Sequence, residues 1–379
     1  MRLAILGTRG IPASYGGFET FAEELSWRLV ERGHEVTVYC RSHYTSRRLG
    51  SHRGVRLVVL PTIRHKYLDT VTHTFVSAVH GLVRRYDAAL VCNAANSIFV
   101  PLLKLSGTPV AINVDGLEWQ RKKWNRLGRS FYRVSERLAG RVADEIVCDA
   151  RTIETHYRET YGRSSVFIPY GAPTEKETST ETLRKYGLEP GSYILYVSRF
   201  EPENNAHRVI EAFQKLEQPP FPLVMVGDAP YAREYVERLK AMAGPNVVFT
   251  GYVFGRGYRE LQSHAYSYVQ ATEVGGTHPA LVESMGLGNG VLVNDTPENR
   301  EVAGDGALFF SAAGTEDLAE KLASALAHPE TMKSLAERAR QRVRELYSWD
   351  RVVDAYENLF RDLANGDKLA RRDSQAHVS

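Results

Sequence analysis

The beginning of the chain places a glycine-rich loop between a short apolar strand and a helix. Leu3–Leu6 predicts the strand, and the loop that follows includes Arg9 and the adjacent Gly16 and Gly17. Such a loop presents backbone N–H groups and the positive end of a helix dipole at the edge of a sheet, where anions bind. The sequence therefore predicts a phosphate-bearing ligand, with a tight turn that needs glycine as the structural alternative.

The glycine spacing matches neither G-x-G-x-x-G nor G-x-x-x-x-G-K-[ST]. This spacing disfavours a dinucleotide enzyme and a P-loop NTPase.

A second candidate segment begins with a cationic residue, Arg199, close behind the strand predicted at 193–197. An arginine there can pair bidentately with a diphosphate, and a surface loop is the alternative.

A third segment, residues 275–278 (Gly-Gly-Thr-His), ends a strand and precedes Pro279, which the first turn of a helix tolerates. The start of that helix would offer backbone donors to phosphate. Glu283, one turn along, would accept hydrogen bonds from ribose hydroxyls or lie on a solvated face. A buried Glu283 without a ligand would be costly, so burial of that face would favour the functional interpretation.

A fourth segment starts at the end of a predicted strand with Asp115 and continues through Glu118 into a basic stretch containing two tryptophans. An acidic residue in this position, followed by such a stretch, indicates a surface for an acceptor. A turn before a charged helix is the alternative.

Short β-rich runs alternate with helical patterns in both halves of the 379-residue chain, which predicts an α/β fold with parallel sheets covered by helices. Strands are expected at 3–6, 35–40, 56–60, 88–92, 110–114, 145–148, 165–169, 193–197, 223–226, 247–250, 268–271 and 291–293. The main helices are expected at 17–32, 68–85, 229–243, 279–286, 316–327, 329–347 and 349–363.

A polar segment at 172–180 separates the two halves. We therefore expect an amino-terminal domain at 1–171, a second domain at 172–347, a terminal helix at 348–363 and a mobile tail at 364–379. Two tandem doubly wound domains form a cleft, and ligands bind there at the carboxyl ends of the strands.

The net charge of +3 is too small to indicate nucleic acid as a partner. Cys40, Cys92 and Cys148 lie in apolar runs without metal-like spacing and predict buried, reduced thiols. No apolar stretch is long enough to span a bilayer, and the first residues have the pattern of a core strand rather than that of a signal peptide. We therefore expect a cytoplasmic protein.

Basic residues cluster in two stretches. Residues 41–66 contain six arginines, one lysine and three histidines without an acid, and residues 121–141 contain eight basic residues and one glutamate. These stretches are either solvated faces or a surface for anionic lipid headgroups or an acceptor diphosphate. In the second interpretation Arg121, Lys122 and Lys123 contact an anionic membrane surface, and the protein lies peripherally on the inner face of the plasma membrane.

Taken in order, the four segments resemble the retaining nucleotide-sugar glycosyltransferases of the GT-B fold, in family 4. The resemblance covers nearly the whole chain and is closest to bacterial polysaccharide and cell-wall rhamnosyltransferases. It implies two Rossmann-like domains, an acceptor-side domain at 1–171 and a nucleotide-sugar-binding domain at 172–347, with the helix from Trp349 crossing back to the first. Its motifs are Gly7-Thr8-Arg9-Gly10, Tyr15-Gly16-Gly17-Phe18-Glu19-Thr20, Asp115-Gly116-Leu117-Glu118-Trp119, Glu201-Pro202-Glu203-Asn204-Asn205 after Arg199, and Gly275-Gly276-Thr277-His278-Pro279.

The resemblance also implies roles. Arg199 would stabilise the leaving diphosphate, Glu283 would hold the ribose, and Asp115 occupies the place of a histidine found near the donor sugar in many relatives. Asp115, Arg199 and Glu118 are the expected catalytic residues, with Asp115 and Glu118 orienting hydroxyl groups. The expected substrate-binding residues are Arg9, Gly16, Gly17, Asn204, Gly251, Tyr252, Glu273, Gly275, Gly276, Thr277, His278 and Glu283.

Two positions depart from the wider family. Asn204 replaces a lysine, so the second phosphate charge must come from elsewhere, with Arg9 or backbone amides as the candidates. Gly275 replaces a glutamate, and Glu273 lies two residues out of register as an uncertain substitute. Because that glutamate grips sugar hydroxyls, the departures favour a deoxysugar donor such as dTDP-L-rhamnose.

The resemblance further implies a retaining, metal-independent transfer with no cofactor, from a nucleotide sugar to a saccharide or lipid-linked acceptor in bacterial surface polysaccharide synthesis. A UDP- or GDP-sugar donor, a nucleotide-sugar epimerase, a glycan phosphorylase and a non-catalytic nucleotide-sugar-binding protein stay open as alternatives. A nicotinamide dehydrogenase is disfavoured because the opening glycines do not follow its fingerprint.

Overall fold

A computed structural model of the chain describes residues 1–14, 16–65, 68–114, 116–121 and 124–366. It contains two sheets, of eight and six strands, each within its own half of the chain. Both sheets carry helices between successive strands, which confirms the expected α/β class with two parallel-sheet domains. Asp115, Lys122 and Lys123 lie outside the described residues.

The first sheet has the strand order β3-β4-β2-β1-β5-β6-β7-β8, and its neighbours are parallel except for β3 and β4. In register, Ile5 of the central strand lies between Val38 and Leu90. The strands are β1 (Arg2–Leu6), β2 (Glu35–Arg41), β3 (Ser51–His52), β4 (Val55–Leu60), β5 (Ala88–Cys92), β6 (Val110–Asn113), β7 (Glu145–Cys148) and β8 (Val166–Phe167). The helices are α1 (Gly17–Glu31), α2 (Asp69–Leu82), α3 (Val100–Lys104), α4 (Arg126–Val142) and α5 (Arg151–Tyr161).

The second sheet is parallel throughout, in the order β11-β10-β9-β12-β13-β14, and Leu195 lies between Val224 and Tyr268. The strands are β9 (Ile194–Val197), β10 (Leu223–Val226), β11 (Val247–Gly251), β12 (Ser267–Gln270), β13 (Gly290–Asn294) and β14 (Ala307–Phe310). The helices are α6 (Glu181–Lys185), α7 (Ala206–Gln214), α8 (Arg233–Met242), α9 (Gly255–Ser263), α10 (Pro279–Gly286), α11 (Pro297–Ala303), α12 (Glu316–Ala327), α13 (Pro329–Leu346) and α14 (Trp349–Asn365). Short 3-10 helices occupy Ala94–Phe99, Glu118–Gln120, Pro202–Asn204 and Pro230–Ala232.

The sequence did not predict two of these strands. β3 is a polar two-residue strand that pairs across a turn at Arg53 and Gly54, so it carries no apolar pattern. β14 is an apolar four-residue run at the edge of the sheet, and its two middle residues are only partly buried. The helix expected at 229–243 begins as the Pro230–Ala232 3-10 turn, and only Arg233–Met242 is α-helical.

Helix α14 belongs to the first domain although it follows the second in sequence. Its buried Val353, Tyr356 and Phe360 pack in the core formed by β1 and α1. The Tyr356 hydroxyl also accepts a hydrogen bond from Asn113 Nδ2 at 2.9 Å, at the end of β6. The helix ends at Asn365, two residues beyond the expected end, and the expected tail from 367 onward lies outside the described residues.

The two chain crossings between the domains lie side by side. The Ala172 N–H donates to the Tyr347 carbonyl at 2.8 Å, and Ala172 forms a parallel bridge with Ser348. The linker predicted at 172–180 begins at Ala172, which is buried beside the second crossing.

Cys40, Cys92 and Cys148 are buried free thiols, as expected from the apolar runs around them. Burial raises the pKa of Cys40 to about 11, which keeps this thiol protonated. Among the residues that the structure describes, no helix combines the length and the apolar character needed to cross a bilayer.

We predict that Phe360→Ala destabilises the first domain by about 3–5 kcal/mol, because it leaves a cavity where α14 meets the β1 core. Urea unfolding followed by tryptophan fluorescence measures the change. The control is Leu346→Ala on α13. Because this side chain is exposed, we expect the free energy of unfolding to fall by about 0.5 kcal/mol or less. Equal effects of the two substitutions would show that α14 is not part of the core.

Candidate functional site

A cleft of about 670 Å³ lies between the two domains. Its walls come from loops that follow β1 and β6 in the first domain and β9, β10, β11 and β12 in the second. These are carboxyl ends of parallel strands, where open α/β sheets bind ligands. The cleft therefore lies where the sequence predicts the site.

The opening loop forms the first wall. Gly16 precedes α1 and Gly17 begins it, and both line the cleft. A Cβ on Gly17 would lie 3.2 Å from Pro279 Cγ in the other domain, so the absence of a side chain permits this close approach. The loop is held by its own helix, because Glu19 Oε1 accepts the Arg9 N–H at 2.9 Å.

Arg9 was expected to contact phosphate, and the structure places its guanidinium elsewhere. The guanidinium carbon lies 5.2 Å from the centre of the Tyr44 ring, outside the lining of the cleft. The contribution of Arg9 to the site is therefore its backbone N–H, which ties the loop to Glu19.

Arg199 lines the opposite wall of the cleft, in the loop after β9. Asn204 supports this loop: its Nδ2 donates to the Arg199 carbonyl at 2.7 Å, and its own carbonyl accepts the Tyr196 hydroxyl at 2.6 Å. The buried Glu201 accepts the Tyr231 hydroxyl at 2.5 Å, and its Oε2 lies 3.9 Å from Arg199 Nη2. Asn204 thus fixes the backbone that carries Arg199.

Glu283 lies on α10 and faces the cleft from a buried position. Its Oε2 accepts the Tyr258 hydroxyl at 2.6 Å. Burial raises the pKa of Glu283 to about 7, and the charge of Glu24 on α1 adds to the rise while the Tyr258 hydrogen bond opposes it. The solvated-face alternative for Glu283 is therefore wrong. A buried carboxylate that already accepts a tyrosine hydroxyl suits a ligand that donates further hydroxyl hydrogen bonds.

In the loop before α10, Gly276 and Thr277 contact the first domain rather than the cleft. The Thr277 N–H donates to Asp149 Oδ2 at 3.0 Å, and the Thr277 hydroxyl donates to the Asp149 carbonyl. A Cβ on Gly276 would lie 2.5 Å from Asp149 Oδ1, so only glycine fits there. Gly276 and Thr277 were expected to bind the substrate. The structure instead places both residues at the domain interface, where Thr277 donates hydrogen bonds to Asp149 and Gly276 lies against its carboxylate.

The sequence did not identify Asp149, although an acidic residue at the end of β7 is a signal that could have found it. A second interdomain bond lies beside it, because the Arg151 N–H at the start of α5 donates to both Glu301 oxygens, at 2.9 and 3.1 Å. Burial raises the pKa of Glu301, and its bond to Arg151 opposes that rise.

His278 precedes α10 and lines the cleft. Burial lowers the pKa of its imidazole to about 4, and the positive charge of Arg121 contributes to the lowering. The ring is therefore neutral near pH 7. It offers the cleft a hydrogen-bonding group without adding charge.

Glu118 was expected to act on the substrate, and the structure instead places it behind Arg121. Its Oε1 lies 2.6 Å from Arg121 Nε, and its Oε2 accepts the Trp124 Nε1–H at 3.2 Å. Arg121 is 9% exposed and lines the cleft, which corrects its expected place on a membrane surface. Glu118 is therefore a positioning residue for Arg121.

Glu273 lies apart from the main cleft. Its Oε1 accepts the Asn205 Nδ2–H at 3.0 Å and lies 4.0 Å from Arg208 Nη1. Together with Gly275 it lines a separate pocket of about 70 Å³ between the domains. The structure therefore does not bring this carboxylate to Glu283.

The aromatic wall of the cleft follows β11, which ends at Gly251. The Tyr252 hydroxyl donates to the Asp228 carbonyl at 2.8 Å, and the Tyr252 ring stacks on Phe254 with centroids 5.6 Å apart. Of the predicted residues, the cleft brings together Gly16, Gly17, Arg199, Asn204, Tyr252, His278 and Glu283. Within the described part of the chain, no group of three His, Cys, Asp or Glu side chains is placed to hold a metal ion.

The two halves of the chain match two family models. Residues 16–171 match the model described as "Glycosyl transferase 4-like domain", and residues 179–342 match "Glycosyl transferases group 1". The boundary between the matches falls at the two crossings beside Ala172. Together the models span most of the chain.

Similar proteins extend over nearly the full length. The O-antigen chain mannosyltransferase C of Escherichia coli is 23% identical over 377 residues, covering 93% of this chain and 96% of that protein. The fold resembles sucrose-phosphate synthase from Thermosynechococcus elongatus with a TM-score of 0.82 at 17% identity, covering 96% and 99% of the two chains. It also resembles Anabaena HepE in complex with UDP and glucose, with a TM-score of 0.78 at 15% identity, covering 96% and 100%. The chain therefore belongs to the glycosyltransferases of the GT-B fold, with a glycosyl transferase 4-like domain followed by a glycosyl transferases group 1 domain.

Proposed function

We propose that the chain is a retaining glycosyltransferase that moves a sugar from a nucleoside-diphosphate sugar to a saccharide or lipid-diphosphate-linked acceptor. The observation that carries the proposal is one cleft that joins a guanidinium, Arg199, to a buried carboxylate, Glu283, opposite the glycine pair of α1. The similarity to an O-antigen chain mannosyltransferase favours an acceptor of bacterial surface polysaccharide synthesis.

The reaction breaks the bond between the anomeric carbon of the donor sugar and the diphosphate and forms a bond from that carbon to an acceptor hydroxyl oxygen. The acceptor arrives on the face from which the diphosphate leaves, and its hydroxyl proton passes to the departing phosphate. Negative charge then builds on the phosphate oxygens, and Arg199 stabilises it as the diphosphate leaves. Glu283 accepts hydrogen bonds from the ribose, and the Tyr252 and Phe254 rings flank the base. The transfer is metal-independent in this proposal, because guanidinium groups supply the positive charge.

The donor sugar is proposed to be a deoxysugar, with dTDP-L-rhamnose as the first candidate. Gly275 contributes no carboxylate, and the Glu273 carboxylate is held by Asn205 in a separate pocket. The cleft therefore offers fewer acceptors to sugar hydroxyls than a second glutamate beside Glu283 would. UDP- and GDP-sugars are the alternative donors.

Contact between the domains supports a closed reaction site. Asp149 bonds Thr277 across the interface, and Gly17 lies against Pro279. A closed cleft excludes water and limits hydrolysis of the donor.

A second candidate function is a non-catalytic protein that binds a nucleotide sugar. The uncharged Asn204 favours it, because its amide serves the Arg199 backbone and brings no charge to a leaving group. The two functions differ in one result: a binding protein retains the donor in the presence of any acceptor.

We propose that α4 holds the protein against an anionic membrane surface at the cytoplasmic face. Leu127, Phe131 and Val134 are exposed at helical spacing on one face of α4. Five exposed arginines lie on the same helix, whereas its glutamate, Glu136, is buried. This combination of apolar and basic groups suits an anionic bilayer and a lipid-linked acceptor. The exposed arginines are Arg126, Arg129, Arg133, Arg137 and Arg141.

The test of function is sugar transfer from dTDP-, UDP- and GDP-sugars to lipid-linked acceptors, measured by mass spectrometry. We expect Arg199→Ala to lower kcat about 100-fold or more while the protein stays folded, because the leaving diphosphate loses its cation. The control is Arg344→Ala, at an exposed position on α13, with activity unchanged. Binding without transfer would favour the second candidate, and a strict requirement for a divalent cation would contradict the metal-independent reaction.

Glu283→Gln tests the buried carboxyl. Folding raises the pKa of Glu283 from 4.5 to about 7. The free energy of unfolding of the wild type therefore falls by about 3 kcal/mol as pH rises across that interval. At pH 8 we expect Glu283→Gln to have a higher free energy of unfolding than the wild type, and at pH 4.5 we expect little difference. We also expect the substitution to weaken nucleotide binding. Urea unfolding and calorimetric titration measure these effects.

The matched control is Glu237→Gln, at an exposed position on α8. We expect its free energy of unfolding to differ from that of the wild type by the same small amount at both pH values. A stability difference between wild type and Glu283→Gln that is the same at both pH values would contradict the titration of Glu283.

Co-sedimentation with phosphatidylglycerol vesicles tests the α4 surface. We expect joint substitution of Leu127, Phe131 and Val134 by serine to weaken binding about tenfold or more, because the apolar face no longer enters the bilayer surface. The control is Leu346→Ser at an exposed position on α13. Unchanged vesicle binding of the triple variant would overturn the assignment of this surface.

A further inference from the structure

One arginine leaves the charge of the proposed donor incompletely matched. A nucleoside diphosphate carries more than one negative charge, and Arg199 supplies a single positive charge. Asn204 cannot add to it, because its amide donates to the Arg199 carbonyl at 2.7 Å. Arg9 lies over Tyr44, outside the cleft lining. The other arginines that line the cleft are Arg28, Arg53, Arg121 and Arg259, and a second cation for the diphosphate would come from among them.

Arg121 approaches Arg199 from the opposite domain. Both residues line the cleft, and both guanidinium groups converge on one oxygen of the buried Glu201. Arg121 Nη1 and Arg199 Nη2 each lie 3.9 Å from Glu201 Oε2. Two positive groups from different domains therefore stand on either side of one carboxylate.

The Arg121 side chain is held at its Nε edge. Glu118 Oε1 lies 2.6 Å from Arg121 Nε, and Trp124 fixes the other Glu118 oxygen. The terminal nitrogens are thereby directed toward Glu201 and the cleft. The charge of Arg121 also reaches His278 at the start of α10, whose pKa it helps to lower. Arg121 is therefore close to both walls of the proposed diphosphate position.

The contacts of Arg121 differ in strength. A separation of 2.6 Å at Nε is a close charge-assisted contact, whereas 3.9 Å at Nη1 is the outer range of an ion pair. The contact with Glu118 offsets the cost of burying the guanidinium. The close contact at Nε thus fixes the guanidinium independently of the looser contact at Nη1.

We propose that Arg121 binds the donor diphosphate as the second cation, opposite Arg199. This inference rests on the proposed function. It divides the positive charge at the leaving group between the two domains, so the full charge is assembled only when the cleft is closed. Departure of the diphosphate is then stabilised only after the cleft has excluded water.

The test compares nucleoside diphosphates with the matching monophosphates by isothermal titration calorimetry. The pairs are dTDP with dTMP, UDP with UMP and GDP with GMP, on wild type, Arg121→Gln, Arg121→Lys and Arg199→Gln. We expect Arg121→Gln to weaken binding of the diphosphate about tenfold or more and of the monophosphate by less than about threefold. The control is Arg158→Gln at an exposed position on α5, with affinities unchanged.

A loss confined to the diphosphate supports the inference. Equal losses for both nucleotides, or no loss, overturn it, because Arg121 would then act only on the shape of the cleft or not at all. If Arg121→Gln does not fold, Arg121→Lys decides: its preference for the diphosphate should fall several-fold, and an unchanged preference overturns the inference.

Failure of the two proposals is distinguishable. If Arg199→Gln weakens diphosphate binding and Arg121→Gln does not, the inference alone fails and the proposed function stands. If the wild type binds none of the nucleoside diphosphates, the proposed function fails and the inference fails with it.

Discussion

The cleft depends on the contact between Asp149 and the loop that leads into α10. Asp149 stands at the end of β7 in the first domain, and it accepts both the N–H and the hydroxyl of Thr277 in the second. The contact is close because Gly276 has no side chain where a Cβ would lie 2.5 Å from the carboxylate. The carboxyl ends of the two sheets are thereby brought together, and Arg121, Arg199 and Glu283 line a single cleft.

Burial sets the charge of that cleft. Near neutral pH the His278 imidazole is neutral, because burial lowers its pKa to about 4, whereas the pKa of Glu283 rises to about 7. Among the arginines that line the cleft, Arg121 and Arg199 converge on Glu201, and its negative charge offsets the repulsion between the two guanidinium groups. A ligand with an anionic diphosphate and hydroxyl groups matches this distribution, because the phosphate meets the arginines and the hydroxyls meet Glu283.

Most strands were predictable because their apolar runs are buried on both faces of parallel sheets, as in Ala88–Cys92. The strand Ser51–His52 was missed because it is polar and carries no such signal. Ala307–Phe310 was also missed; it is an apolar run, but it lies at the sheet edge and its two middle residues are only partly buried. Arg199 and Glu283 were identified as site residues because loops at strand ends and helix starts follow from local patterns. Thr277 and Glu118 were expected to contact the substrate, whereas the structure pairs them with Asp149 and Arg121. Spacing along the chain does not reveal such contacts.

The sequence by itself determined the two-domain α/β class, most element boundaries and the set of loops that meet at the cleft, since these follow from hydrophobic periodicity and from local glycine and proline chemistry. The tertiary structure alone decided which of the loop residues face the cleft. It turned Thr277 toward Asp149, buried Arg121 against Glu118 and set Arg121 opposite Arg199 across the cleft. The reason is physical: a buried charge must find its partner in space, and here the partners come from different domains.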